Sequence, residues 1–201
     1  MSPRPRKVSD DDIYAATYRA MTRVGPGELT LATIAAEAGV TAAALSHRFG
    51  SKRELLLALA AGAAASAGEF IRSLAEQHRS PLGAVREYAE CMAHLAPSPA
   101  VLARNLAYLQ IDLADPDFRG HLARQARATR AALEELLTQA VAARELSRGT
   151  DVRALARTLE VALNGSLITW AFYQEGTAAK WLRENTDAVL APHLVKRRRS
   201  T

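Results

Sequence analysis

Residues 31 to 55 read LATIAAEAGVTAAALSHRFGSKREL, and this stretch decides the fold. Leu31, Ile34, Ala35 and Ala38 recur at i, i+3, i+4 and i+7, the apolar stripe of a two-turn helix. Thr30 stands where the N-cap belongs, and Gly39 supplies the positive φ that ends such a helix. Thr41 caps a second short helix carrying Leu45 and Phe49, and Ser51 caps a much longer one that begins Lys52-Arg53-Glu54-Leu55 and runs to about His78. Two short helices joined by a tight Gly39 turn, with the small Ala35 where they cross, are the sequence form of a helix-turn-helix. Any corner between two helices satisfies the same pattern, so the residues around it carry the decision.

Outward from that core the chain stays helical. Ser9, with Asp12 three residues later and Ile13 after it, forms an acidic capping box for a first helix that Gly25-Pro26-Gly27 stops. Downstream, Leu82, Val85, Ala89 and Met92 make one stripe, and Leu102, Leu106, Leu109 and Leu113 make the next. Phe118, Leu122, Leu133, Leu136 and Ala140 mark a helix of about seven turns. In the segment from Val152 to Tyr173 the apolar residues from Leu159 onward cover nearly the whole circumference, so this helix needs cover on two sides. One side is assigned to the chain's own core and the other to a subunit interface, with Leu163, Leu167 and Trp170 meeting Trp181 and Leu190 of the last helix.

Composition agrees with that periodicity. Aromatics make up only 5% of the 201 residues, which excludes an all-β barrel. The net charge of +5 hints at nucleic acid, yet its distribution matters more. Residues 1 to 54 hold eight basic and six acidic side chains, and residues 55 to 195 hold fourteen and fifteen. Lys196, Arg197, Arg198 and Arg199 carry most of the excess, in a tail read as solvated. Cys91 is the only cysteine, so no intrachain disulfide forms and a reducing compartment is expected. The basic N-terminus runs into Asp10-Asp11-Asp12 and is no signal peptide; the longest uncharged run, Leu55 to Gly68, is too short to span a bilayer. The expectation is a cytoplasmic protein with no membrane partner.

The stretch from Leu31 to Leu55 closely resembles the DNA-binding module of the TetR family of bacterial transcriptional regulators, and the likeness covers residues 9 to about 57. The resemblance implies an all-α protein. An N-terminal three-helix helix-turn-helix domain with a basic arm (residues 1 to 52) precedes an effector-binding and dimerisation domain of about six helices (53 to 194) and a basic tail (195 to 201). It implies phosphate contact for His47 and Lys52, with Thr30 and Thr41 at helix starts facing the DNA. One departure stands out: Ser46 occupies the place where the family usually has a tyrosine that touches a phosphate, and a serine reaches less far.

The recognition helix has chemistry of its own. With Val40, Leu45 and Phe49 inward, Ala42, Ala43, Ser46 and His47 are left outward, and alanine methyls suit thymine methyls. Direct readout is then modest, supplemented by phosphate contacts and DNA shape. Arg4, Arg6 and Lys7 form an arm that either enters the minor groove or stays solvated.

A ligand side is indicated by polar residues on apolar stripes. Gln125 and Thr129 interrupt one helix, Asn164 and Ser166 another, and buried polar groups need partners from a ligand, from water or from neighbouring helices. Tyr88, Cys91, Met92, Tyr108 and Phe172 are the adaptable or aromatic candidates to line the cavity. Cys91 and His94 share a helix face, but nothing supplies the remaining ligands of a metal site. No phosphate loop or nucleophile elbow is present, and neither a cofactor nor an enzymatic activity is expected. The leading reading is a homodimeric repressor that binds a palindromic, inverted-repeat operator in double-stranded DNA and is released by a small, mostly apolar effector. The alternative is a helical carrier of hydrophobic molecules that uses the helix-turn-helix only for packing.

Overall fold

A computed structural model describes residues 8 to 195, which form nine α-helices and no strand. These are α1 (Asp10–Arg23), α2 (Leu31–Ala38), α3 (Ala42–Phe49), α4 (Lys52–Gln77), α5 (Pro81–Met92), α6 (Pro99–Ala114), α7 (Pro116–Ala142), α8 (Val152–Tyr173) and α9 (Ala178–Leu190). Short 3-10 turns follow α5 (Ala93–Leu95) and α9 (Ala191–His193). The arm residues Arg4, Arg6 and Lys7 and the basic run Lys196 to Arg199 lie outside the described residues.

The first three helices start and stop for local reasons. The Asp12 backbone N–H donates to Ser9 Oγ at 3.1 Å while the Ser9 N–H donates to Asp12 Oδ2 at 2.9 Å, the reciprocal box expected from the sequence. Thr30 and Thr33 repeat the arrangement at the start of α2, and Thr41 Oγ1 accepts from the Ala44 N–H at the start of α3. Each such cap is worth about 1 kcal/mol. Gly39 ends α2 at φ 68°, a left-handed conformation that glycine adopts without a Cβ penalty.

The described residues fall into two compact units, and the division differs from a cut at residue 52. The first unit takes the chain up to Gly62 together with Ala103–His121. Its core joins Ile13, Leu29, Ile34, Leu45 and Leu55 to Tyr108 of α6. The physical reason lies at the end of α1, where the last turn of any helix leaves carbonyls without intrahelical donors. Arg104 Nε donates to the Thr22 carbonyl at 2.8 Å, and the Tyr108 hydroxyl donates to the Val24 carbonyl at 3.0 Å. In the same unit Arg53 bridges Asp115 (Nη2 to Oδ2, 2.8 Å) and Asp117 (2.7 Å), and its guanidinium lies 5.7 Å from the Phe118 ring centroid.

This use of α6 corrects the expected stripe. Leu102 is buried, but Leu106, Leu109 and Leu113 are 36%, 37% and 52% exposed. The helix is docked through Arg104 and Tyr108, four residues apart, and the face they define differs from the leucine face.

The second unit comprises Ala63–Leu102 and the residues from Leu122 onward. One of its cores gathers Ile71, Leu74, Leu82, Val85, Leu133, Leu136, Leu137, Leu155, Leu159 and Leu190. A second gathers Ala89, Leu102, Leu163, Leu167, Trp170, Ala178 and Leu182, and Tyr88 packs against both. The start of α5 is satisfied from two directions, by Ser80 Oγ on the Gly83 N–H and by Glu145 Oε2 on the Leu82 N–H.

Among the described residues α4 alone is long and apolar enough to cross a membrane, with a mean hydropathy of 1.5 over its most apolar 18 residues. Its apolar side chains are used in packing: Leu55 is in the first unit's core, and Ile71 and Leu74 are in the second's.

Candidate nucleic-acid interface

Helices α2 and α3 form the helix-turn-helix, with Val40 N–H closing onto the Ala35 carbonyl at 3.0 Å across the Gly39 turn. Leu45 is fully buried, and Ala42 and Phe49 pack beside it against the first unit's core. The residues that α3 presents outward are therefore Ala43, Ala44, Ser46 and His47, with Thr41 exposed at its N-cap. Ala42 was expected outward. It stands three residues before Leu45, one helical turn away on the same face, and so turns inward, while Ala44 takes an outward place. Thr30 is exposed at the start of α2, its hydroxyl accepting the Thr33 N–H.

The hydrogen bonds around α3 qualify the expected phosphate contacts. The Ser46 hydroxyl donates to the Gly50 carbonyl at 3.2 Å, so the proton that would meet a phosphate is engaged in the helix's own C-terminus. Lys52 is half-buried, and its ammonium donates to the carbonyls of Leu29 (2.7 Å) and Pro26 (3.5 Å). Arg48, which the sequence reading passed over, donates from Nη1 to the Val8 carbonyl at 2.7 Å and pairs with Asp10 at 2.5 Å. Its guanidinium lies 5.8 Å from the Phe49 ring centroid, and Phe49 in turn meets Tyr14. No local spacing announces the Arg48 contacts, because they join residues about forty positions apart.

The other described arginines of this unit are also held by acceptors of the chain. Arg19 and Arg23 share Glu37, whose carboxyl is held below its ordinary value chiefly by the Arg19 hydrogen bond. Arg53 serves Asp115 and Asp117, and its hydrogen bond likewise lowers the Asp115 carboxyl. Arg104 and Arg119 donate to the Thr22 and Leu113 carbonyls.

The expected ligand-lining residues do not all come together. Tyr108 belongs to the first unit, and Phe172 is 76% exposed on α8. Asn164 Nδ2 donates to the Glu160 carbonyl at 2.9 Å and Ser166 Oγ to the Ala162 carbonyl at 2.6 Å, so their own helix satisfies them. Tyr88, Cys91 and Met92 on α5 and Gln125 and Thr129 on α7 are half-buried in the second unit. Burial pushes the Tyr88 phenol up, an effect the Thr129 hydroxyl partly offsets. Burial, with Glu87 beside it, does the same to the Cys91 thiol. Arg130 and Glu160 form a 2.6 Å ion pair in the same unit. A buried group that the sequence did not reveal is Thr186, whose hydroxyl has no hydrogen-bond partner among the described residues. No group of three or more potential metal ligands occurs among the described residues.

The expected subunit-facing residues also divide. Leu163, Leu167, Trp170 and Leu190 are buried within the chain's own cores. Trp181 stacks on Tyr173 at 5.8 Å, and its indole N–H donates to the Glu175 carbonyl. The side of α8 turned to solvent carries Val161 (67% exposed), Gly165, Ile168 and Phe172, spaced by one helical turn.

Two family models match the sequence: bacterial regulatory proteins of the tetR family over residues 13–59, and the tetracyclin repressor-like C-terminal domain over residues 106–186. Together they span more than half of the chain. A TetR transcription regulator from Haloarcula marismortui is 18% identical, with a TM-score of 0.73, covering 92% of this chain and 98% of that one. SmeT, the repressor of the Stenotrophomonas maltophilia multidrug efflux pump SmeDEF, is 20% identical with a TM-score of 0.67 over 94% and 92%. The regulator FadR from Bacillus subtilis, solved with stearoyl-CoA, is 17% identical with a TM-score of 0.69 over 91% and 98%. At such identities these likenesses concern the fold alone. No curated protein matches the sequence.

Proposed function

The chain belongs to the TetR family of bacterial regulatory proteins, DNA-binding transcription regulators rather than enzymes, and on that premise we propose that it is a dimeric repressor of a palindromic operator. The observation that carries the reading is the outward face of α3. Thr41, Ala43, Ser46 and His47 stand exposed among the described residues, on a helix that Leu45 fixes to its three-helix support. Ala43 and Ala44 offer methyl contacts to thymine, and Thr41 and His47 offer polar ones. Thr30 adds a contact at the start of α2, and Arg4, Arg6 and Lys7 are further basic candidates for DNA contact.

Two copies joined through the exposed side of α8 would impose two-fold symmetry on the operator. Footprinting of the DNA upstream of the protein's own coding region tests this, with a protected inverted repeat expected. The absence of any protected palindrome overturns it.

A small, mostly apolar effector then releases the DNA. Tyr88, Cys91, Met92, Gln125 and Thr129, each half-buried in the second unit, are the residues proposed to meet it, and the similar structure solved with stearoyl-CoA makes long-chain acyl thioesters the first compounds to screen. The effector must bind the DNA-free form more tightly than the operator-bound form, and the operator weakens effector binding by the same factor.

A further inference from the structure

We propose that Lys52 is a positioning residue that acts on the chain's own loop between α1 and α2, and not on a DNA phosphate. Its ammonium sits 2.7 Å from the Leu29 carbonyl and 3.5 Å from that of Pro26. The loop prepares those acceptors: the N–H groups of Glu28 and Leu29 both turn onto the Gly25 carbonyl, at 3.1 and 3.2 Å. The carbonyls of Pro26 and Leu29 accept from the lysine ammonium instead of from the turn's own N–H groups. The Leu29 side chain is fully buried in the same core as Leu45, which fixes the direction of its carbonyl.

The consequence reaches α3 through a short chain of contacts. Leu29 immediately precedes Thr30, the N-cap of α2, and α3 follows α2 across the Gly39 turn. Lys52 is the first residue of α4. Its side chain therefore ties the start of α4 to the start of α2, and so sets the angle at which the outward face of α3 is held. Two of the three ammonium donors are occupied by these carbonyls, and the side chain is half-buried.

The DNA arm of the test rests on the repressor reading, and the DNA-free arm does not. Lys52→Ala, Lys52→Gln and Lys52→Arg are compared with the unaltered full chain by thermal melting without DNA and by operator affinity across a salt series. The clamp predicts that Lys52→Ala melts about 4 °C lower, the scale of one lost charged hydrogen bond in a chain of this size. Lys52→Gln, which keeps an N–H₂ donor, and Lys52→Arg should recover part of that loss. Operator affinity falls about tenfold in Lys52→Ala while the slope of log K against log salt stays unchanged. A slope reduced by about one unit marks a lost phosphate contact and overturns the proposal, whatever the melting shows. Unchanged melting in Lys52→Ala also overturns it. If the unaltered protein recognises no operator, the repressor reading fails and the melting series still decides the clamp.

Discussion

Gly39 holds the two helices of the reading head at an angle that an L-residue resists. A Cβ added there meets no atom within 4 Å, so the cost of Gly39→Ala comes from the backbone at φ 68° alone. That variant is expected to lose about 1 kcal/mol in urea unfolding. Ala43 has the opposite character: exposed on α3, it contributes little to stability, and Ala43→Glu should leave the melting temperature unchanged. A carboxylate on that face repels phosphates, so operator affinity should drop at least tenfold in a gel-shift titration. An equal loss in an Ala43→Gln control would show that size matters there more than charge. The same residues show what the sequence disclosed. Gly39, Thr30, Thr41 and Leu45 act through neighbours three or four positions away, and their roles were readable from spacing. Ala42, three residues before Leu45, obeys the same spacing and turns inward, against the expectation that it faces outward. The partners of Arg48 and Lys52 lie more than twenty residues away, beyond any local pattern.

At the scale of the helix, α8 separates two kinds of apolar residue that composition alone does not distinguish. Leu163 and Leu167 close the second unit's core, so Leu163→Ala is expected to cost about 3 kcal/mol of stability through the cavity it leaves. Ile168 and Phe172 face solvent, so Ile168→Glu paired with Phe172→Glu should leave the fold intact. The double variant should sediment as a monomer where the unaltered protein sediments as a dimer, and dimeric behaviour in both would move the interface elsewhere. The extent of α8, Val152 to Tyr173, was legible from apolar content and its flanking polar residues. Its orientation was not, because a helix apolar all round has no periodic minimum to mark its outer side. Helix α6 shows the converse: its leucine period was clear, yet polar anchors at Arg104 and Tyr108 decided which face docks.

For the whole molecule, acid is the informative perturbation. The Asp115 carboxyl is held below its ordinary value of 3.8, first by the Arg53 hydrogen bond, and Glu37 is held below 4.5, first by that of Arg19. A lowered folded-state pKa contributes stability above the unfolded value and loses it as the pH falls through the folded one. Stability should therefore decline below about pH 4, and Asp115→Asn should flatten that decline in unfolding curves measured across pH. Both carboxylates belong to the first unit, whose carbonyl ends also depend on α6. That dependence bears on modular engineering. A hybrid regulator spliced at residue 52, with these N-terminal helices joined to an unrelated sensor body, would leave the Thr22 and Val24 carbonyls without Arg104 and Tyr108. The compact first unit is discontinuous in the sequence, and a transplant that keeps it whole carries residues 103 to 121 along with the N-terminal helices.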